Sequence, residues 1–178
     1  MKKIIIMTMF IALVFLNGCN LNLSNLDVQK LSVKASEYMQ AGEYDKAASR
    51  LESIIELNPD LSETYYNLGV AYYHMEEFDK AVHAFSDALI RNPEMPDAYY
   101  SRAVAHEDLA YAILDGKDKS EDYKPTEEDS NLAMEYLQNA KADFENYLKF
   151  KKDATDTQEV MEKISQIETK INGDSAEE

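Results

Sequence analysis

The sequence is poor in the residues that build disulfides, metal sites and redox centres. It has 178 residues with one cysteine, Cys19, three histidines and no tryptophan. A single cysteine excludes an intramolecular disulfide and a thiolate metal cluster. No histidine has a histidine or cysteine partner at the short spacing typical of metal ligands; the three are His74, His83 and His106. We therefore expect neither a metal nor a cofactor.

Positive charge and catalytic motifs are also scarce. The chain has 18 lysines and arginines against 34 aspartates and glutamates, for a net charge of −16. Such a surface repels the phosphates of nucleic acids and anionic lipid headgroups. The carboxylates are spread along amphipathic stretches rather than paired as in a glycosidase, and the sequence has no P-loop, dinucleotide-binding glycine motif or nucleophile elbow. We predict a protein that is not an enzyme and does not bind nucleic acid.

The N-terminal segment has the layout of a bacterial secretory signal. Lys2 and Lys3 precede an apolar run over residues 4–16, which is too short to span a bilayer as a helix. The run ends in Leu-Asn-Gly-Cys, which resembles the bacterial lipobox, in which the cysteine receives a diacylglyceryl group. We predict a signal peptide over residues 1–18 and lipidation of Cys19. An ordinary secreted protein and an uncleaved anchor are the alternatives.

A lipid on Cys19 would hold the protein on the extracytoplasmic side of a membrane. Each buried methylene of an acyl chain contributes about 0.8 kcal/mol, so two or three chains give stable anchoring. Asn20 stands where an aspartate would signal inner-membrane retention in bacteria with two membranes, which favours the outer membrane in such a cell. Residues 19–27 are predicted as the lipidated cysteine and a polar linker.

From residue 28 onward, the sequence matches itself at an offset of 34 residues. Lys46 falls on Lys80, and Asn58-Pro59 falls on Asn92-Pro93. The second of these units has the clearest helical stripe, with large and small apolar residues at i, i+3, i+4 and i+7 followed by a second helix. Its residues are Tyr65, Leu68, Gly69, Tyr72, Phe78, Ala81, Phe85, Ala88 and Pro93.

This pattern resembles the tetratricopeptide repeat family, and the resemblance implies an all-α solenoid of stacked helix pairs. We predict about three such pairs over residues 28–152. The third departs from the pattern, because Arg102 and His106 stand where the family has leucine and tyrosine. Its second helix comes late, with a charged insertion near 115–129 that is either functional or merely solvated.

A last helix is predicted over residues 153–173, with Asp156 as its cap and Glu159 three residues later. It serves either as the polar cover that terminal repeats need or as a partner-binding helix. Residues 174–178 are predicted to form a disordered acidic tail.

In a stack of such pairs, the first helix of each unit faces the concave side with the stripe not used for packing. The resulting groove is aromatic in its middle and acidic at its margins, which suits a protein or peptide partner with apolar and basic side chains. Alternatively, these tyrosines cover one another or pack against the charged loop. The predicted partner-binding residues are Tyr66, Asn67, Val70, Tyr73, His74, Asp97, Tyr100, Val104, Glu107 and Asp108.

Some members of the family hold the carboxylate end of a partner chain with lysine, arginine and asparagine. Of the corresponding positions only Asn67 matches, and Asp97 would repel a carboxylate, so this activity is not expected. The sequence instead predicts a membrane-anchored adaptor that gathers a protein partner for envelope assembly, secretion or cell-wall work. The alternative is a small-ligand-binding accessory protein of a solute transporter, in which the third unit closes the groove into a cavity.

Overall fold

The computed structural model of the protein describes residues 25–116, 123–151 and 155–174. The predicted signal peptide, Cys19 and most of the predicted linker lie outside the described residues, as do the middle of the charged insertion and residues 175–178 of the predicted acidic tail. Within the described ranges all regular secondary structure is helical and there is no β-strand. The seven helices are α1 (25–41), α2 (Tyr44–Leu57), α3 (Ser62–His74), α4 (Phe78–Arg91), α5 (Pro96–Asp115), α6 (Glu127–Phe150) and α7 (Thr157–Asp174).

The contacts between residues divide the chain into two compact units, one ending at Pro59 and the other beginning at Asp60. The first contains α1 and α2, whose buried side chains include Ala35, Leu51 and Ile54. Residues 25–27 belong to α1 and not to the linker predicted over residues 19–27. The second unit contains α3 to α7 and carries most of the predicted groove.

The helix pair α3–α4 packs closely because a glycine lies where the helices cross. A Cβ atom added to Gly69 would lie 2.6 Å from two ring carbons of Phe85, which is itself 1% exposed. Ala81 and Ala105 complete the buried contact around that ring. The absence of a side chain at Gly69 therefore lets the phenylalanine fill the crossing.

The pair α5–α6 is longer, and it shares with α7 a buried cluster of nine residues. α5 has 20 residues and α6 has 24, whereas α3 and α4 have 13 and 14. Alanines on α5, Ala103 and Ala110, allow α6 to approach closely, and Phe144 of α6 fills the space between the helices. Helix α7 packs against α6 through Val160 and Ile167.

Two helix starts differ from the expected capping pattern. Asp60 and Glu63 have the three-residue spacing of a capping box, but α3 begins after Leu61 and has no side-chain cap. A complete capping box instead begins α6, where the Thr126 hydroxyl accepts from the Asp129 N–H at 3.1 Å and the Asp129 carboxylate accepts from the Thr126 N–H at 2.9 Å. This box extends α6 into the segment predicted as a loop.

The charged insertion is consequently shorter than the predicted range 115–129. α5 continues through Asp115 and ends at Gly116, which has the left-handed conformation (φ 60°) that favours glycine. The Tyr123 ring lies against Gly116, and the Tyr123 hydroxyl donates to Asp129 at 2.8 Å. None of the described helices combines the length and apolarity needed to cross a bilayer.

Candidate partner-binding groove

Two adjoining recesses between α3 and α5 form the candidate groove. We call the first the apolar recess; it has a volume of about 240 Å³ and is lined by Tyr66, Val70, Tyr73, His74, Phe85, Tyr100, Ser101 and Val104. We call the second the polar recess; it has a volume of about 310 Å³ and is lined by Tyr66, Asp97, Tyr100, Ser101, Tyr147, Lys151 and Asp156. Because the two share Tyr66, Tyr100 and Ser101, an extended ligand can occupy both.

The helical period explains which predicted residues meet in the groove. Six of the ten predicted binding residues line the apolar recess, and Asp97 lines the polar recess. The other three, Asn67, Glu107 and Asp108, line neither of them. The binding role of all ten stays a prediction.

The floor of the groove is formed by two groups of packed aromatic rings. Tyr66 lies 5.8 Å from the ring of Phe85, measured between ring centroids, and Tyr100 lies 5.5 Å from Phe144 and 5.2 Å from Tyr147. Phe85, Phe144 and Tyr147 are almost fully buried, whereas Tyr66 and Tyr100 are half-buried. The buried rings hold the two outer tyrosines in place, and each outer ring keeps one part open to solvent.

Two of the carboxylates at the margin of the groove already have partners within the chain. The Tyr73 hydroxyl donates a hydrogen bond to Asp108 at 2.6 Å, which ties α3 to α5. Burial, followed by this hydrogen bond, raises the pKa of Tyr73, so the phenol stays a neutral donor. Glu107 lies 3.5 Å from the ammonium of Lys163 on α7. Glu107 and Asp108 therefore join α5 to α7 and α3 at the margin of the groove.

The polar recess combines two carboxylates with one ammonium. The Tyr147 hydroxyl donates to Asp156 at 2.5 Å, and this hydrogen bond lowers the pKa of Asp156. The Lys151 ammonium lies 5.0 Å from the centre of the Tyr147 ring and 3.7 Å from Asp97. A hydrogen bond with the Tyr147 hydroxyl raises the pKa of Lys151, so it is charged at neutral pH. With Asp97 and Asp156 ionised, the recess has a net charge of −1.

A separate buried polar cluster explains the two departures from the repeat pattern. Arg102 donates to both oxygens of Asp143, at 2.8 and 2.7 Å, and to the Ser86 hydroxyl at 2.9 Å. His106 lies 4.0 Å from Asp143, and its burial lowers its pKa. The cluster lines neither recess, and its contacts join α4, α5 and α6. It therefore has a packing role.

Sequence reasoning missed the part of the polar recess that comes from the end of the chain. Tyr147, Lys151 and Asp156 belong to α6, its C-cap and the start of α7, so only tertiary packing brings them beside α5. Among the described residues, no group of three or more histidine, cysteine, aspartate or glutamate side chains is arranged to hold a metal ion.

Residues 38–107 match the sequence model described as Tetratricopeptide repeat. Among curated proteins, none matches the chain with significant sequence similarity. Solved structures are similar in fold. The first TPR domain of the human RPAP3 protein is 22% identical, with a TM-score of 0.60 over 82% of this chain and 95% of that chain. The first TPR of Spaghetti (RPAP3), bound to the HSP90 peptide SRMEEVD, is 21% identical, with a TM-score of 0.59 over 79% and 91% of the two chains.

A bacterial structure has the same architecture. The Yersinia enterocolitica type III secretion chaperone SycD, in complex with a peptide of the translocator YopD, is 16% identical to this chain. Its TM-score is 0.57, and the match covers 83% of this chain and 93% of that chain. At these identities the likeness shows the fold alone. The predicted all-α helical repeat fold of the tetratricopeptide type is confirmed.

Proposed function

We propose that this protein is a lipid-anchored adaptor of the bacterial cell envelope that binds a protein partner through an extended segment lying in the groove. The observation that carries the proposal is the aromatic floor, in which Tyr66 and Tyr100 are held by buried rings yet open to solvent. Proteins with this fold are typically binding adaptors rather than enzymes. Three of the similar structures contain bound peptides, from HSP90, HSP70 and the translocator YopD.

The apolar recess would supply most of the binding energy. Its walls combine phenol rings with Val70 and Val104, so a leucine or phenylalanine side chain of the partner would lose most of its contact with water there. Full burial of such a side chain contributes about 1.5–3 kcal/mol. Rigid aromatic walls favour binding further, because little side-chain entropy is lost when the ligand enters.

The charge of the groove favours a partner with basic side chains. The protein as a whole has a net charge of −16 and the polar recess lies beside the apolar one. The peptide SRMEEVD, bound by the Spaghetti domain, has three carboxylate side chains. Such a peptide would meet Asp97 and Asp156 here, so we infer that this chain recognises segments of the opposite charge.

The groove is tested by replacing Tyr66 and Tyr100 together with alanine. A photoreactive amino acid at position 66 or 100 should first crosslink the partner in intact cells and so identify it. The double alanine variant should then bind that partner at least about 30-fold more weakly than the wild type does, as expected when central aromatic anchors are removed. Tyr111 is an exposed tyrosine outside both recesses, so Tyr111→Ala is the matched control. Unchanged partner binding by a folded double variant would exclude the groove as the binding site.

Anchoring is a separate part of the proposal and has a separate test. The lipobox-like sequence that ends in Cys19 supports lipidation. The wild-type protein should partition into the detergent phase and incorporate labelled fatty acid, and Cys19→Ala should move it to the aqueous phase. A Cys19→Ala protein that stayed in the detergent phase would indicate an uncleaved N-terminal anchor instead. Fractionation of a two-membrane cell would then test the expected outer-membrane location.

A small-ligand-binding accessory role for a solute transporter is the second candidate. The observation in its favour is size, because the polar recess, at about 310 Å³, falls within the range of small-molecule sites, about 300–1,000 Å³. Thermal unfolding separates the two candidates. A stabilising shift with a metabolite library, and none with envelope-derived peptides, would favour the small ligand.

A further inference from the structure

Lys151 places an ammonium group inside the polar recess, and the end of α6 fixes its position. Its backbone N–H donates to the Tyr147 carbonyl at 2.9 Å as the last hydrogen bond of the helix. Its side chain then lies over the Tyr147 ring and reaches Asp97 in the first turn of α5. The recess thus already contains one cation between a phenol ring and a carboxylate, an arrangement that suits ammonium and guanidinium groups.

The contact between Lys151 and Asp97 is loose enough to exchange. The two charged atoms are 3.7 Å apart, beyond ordinary hydrogen-bond length, and the Asp97 side chain is 65% exposed. Exposed ion pairs change an equilibrium by about fivefold or less. By contrast, the Arg102–Asp143 contact is bidentate, 2.7 Å long and buried. Asp97 is therefore a carboxylate of the polar recess that an incoming cation can share.

We propose that Lys151 is an intramolecular competitor for the cation-binding end of the groove, and that Asp97 is shared between Lys151 and a basic side chain of the bound partner. This inference rests on the proposed function. Residue 151 would then be a specificity-determining position, since it sets how strongly a lysine or arginine of the partner is preferred over a neutral residue.

The spacing of the two recesses specifies the partner further. They meet at Tyr66, Tyr100 and Ser101, so neighbouring side chains on one face of an extended segment can enter both. In an extended chain these are residues i and i+2. The partner segment therefore has an apolar residue and, two positions along, a lysine or arginine.

The test uses the full-length protein in detergent and blocked fluorescent octapeptides as probes. Each peptide has one leucine and, two residues later, a lysine, a glutamine or a glutamate. The wild type should bind the lysine peptide most tightly. Lys151→Gln should increase the affinity for the lysine peptide about threefold to fivefold and leave the affinity for the glutamine peptide nearly unchanged. Asp97→Asn should lower the affinity for the lysine peptide by a similar factor.

A matched control is available on α7. Lys170 is exposed and lines neither recess, so Lys170→Gln removes the same charge from the protein without changing the polar recess. Equal tightening of binding by Lys170→Gln and Lys151→Gln would mean that net charge alone causes the effect, and it would overturn the inference.

Other outcomes separate the inference from the proposed function. If the wild type bound the lysine peptide and Lys151→Gln left its affinity unchanged or lowered it, the competitor role would be wrong while groove binding stood. If the wild type preferred the glutamate peptide and Lys151→Gln abolished that preference, Lys151 would be a carboxylate-binding residue and the inference would be overturned. Failure of every peptide to bind the wild type would overturn both.

Discussion

The helix pairs α3–α4 and α5–α6 have equivalent positions in the repeat but are held together by different chemistry. In α3–α4, buried Leu68 and Ala84 lie on the packing faces, one residue before Gly69 and Phe85. In α5–α6 the equivalent residues are Arg102, at an offset of 34, and Asp143, at an offset of 59. Two buried apolar residues in one pair thus correspond to an ion pair in the other.

This difference shows how the third pair tolerates unusual residues. Asp143 is 4% exposed and would be costly to bury alone, but Arg102 of α5 pairs with it, and the Ser86 hydroxyl of α4 accepts a hydrogen bond from the same guanidinium. Since an ion pair with defined geometry accepts few alternative packings, we infer that the cluster fixes the register of the longer helices. Apolar packing at Gly69 does the same in the shorter pair by shape alone.

The largest expected effect comes from removing one partner of the buried ion pair. Asp143→Ala leaves the partly buried Arg102 guanidinium beside α6 without its carboxylate, so we expect a loss approaching about 3–5 kcal/mol in the free energy of unfolding. Urea denaturation followed by circular dichroism measures this. A loss below about 1 kcal/mol would mean that Arg102 can leave the interior at little cost.

A double variant sharpens the same comparison. Arg102→Leu with Asp143→Ala gives α5–α6 the residues that α3–α4 has at Leu68 and Ala84. Because replacing a buried ion pair by apolar residues is often neutral or stabilising, the double variant should recover most of the stability that Asp143→Ala loses. A double variant as unstable as the single one would show that the two pairs differ in backbone geometry as well as in side chains.

The second-largest expected effect on stability comes from a change at the crossing of α3 and α4. Gly69→Ala forces a methyl group to within 2.6 Å of the Phe85 ring, and such overpacking costs about 1–3 kcal/mol. Gly173→Ala is the matched control, because a Cβ at Gly173 would meet no atom within 4 Å. If thermal unfolding showed the same shift for both variants, the close approach of Phe85 would not explain the glycine.

The helical part of the fold followed from the sequence because its signal is local. The stripe from Tyr65 to Tyr72 identified α3, and the same period placed Tyr66, Val70 and Tyr73 together on the face that lines the apolar recess. Residues on one face of a helix share their surroundings whatever the rest of the chain does. The prediction of α3 therefore required no knowledge of its neighbours.

The polar recess depended on information that is not local. Lys151 and Asp156 line the same recess as Asp97 only because α6 is 24 residues long and α7 packs against it. The Arg102–Asp143 pair could have been predicted from the sequence. Asp143 precedes Phe144 as Ala84 precedes Phe85, so Asp143 occupies the position that Ala84 has on the packing face of α4. The start of α6 was missed because its capping box has aspartate, not glutamate or glutamine, at the third helical position.

The smallest expected effect concerns two equivalent turns. Between α1 and α2, Gly42 has φ 73°, and between α3 and α4 the residue 34 positions later is Glu76, with φ 59°. Both turns have the same closing bond, from Glu43 to the Tyr38 carbonyl at 2.9 Å and from Glu77 to the Tyr72 carbonyl at 3.0 Å. The backbone therefore requires the left-handed conformation in both places, and only the first has the residue that adopts it without strain.

Exchanging the residue types tests this. Glu76→Gly should raise the free energy of unfolding by about 0.5–1 kcal/mol, because the strain of a non-glycine residue at positive φ is relieved. Gly42→Ala should lower it by about 1 kcal/mol, and steric contact cannot be the cause, since a Cβ at Gly42 would have no neighbour within 4 Å. Chemical denaturation of both variants measures the two changes. If Glu76→Gly were destabilising instead, the glutamate side chain would stabilise its turn by more than the backbone strain costs, and the two turns would be equivalent in geometry but not in energy.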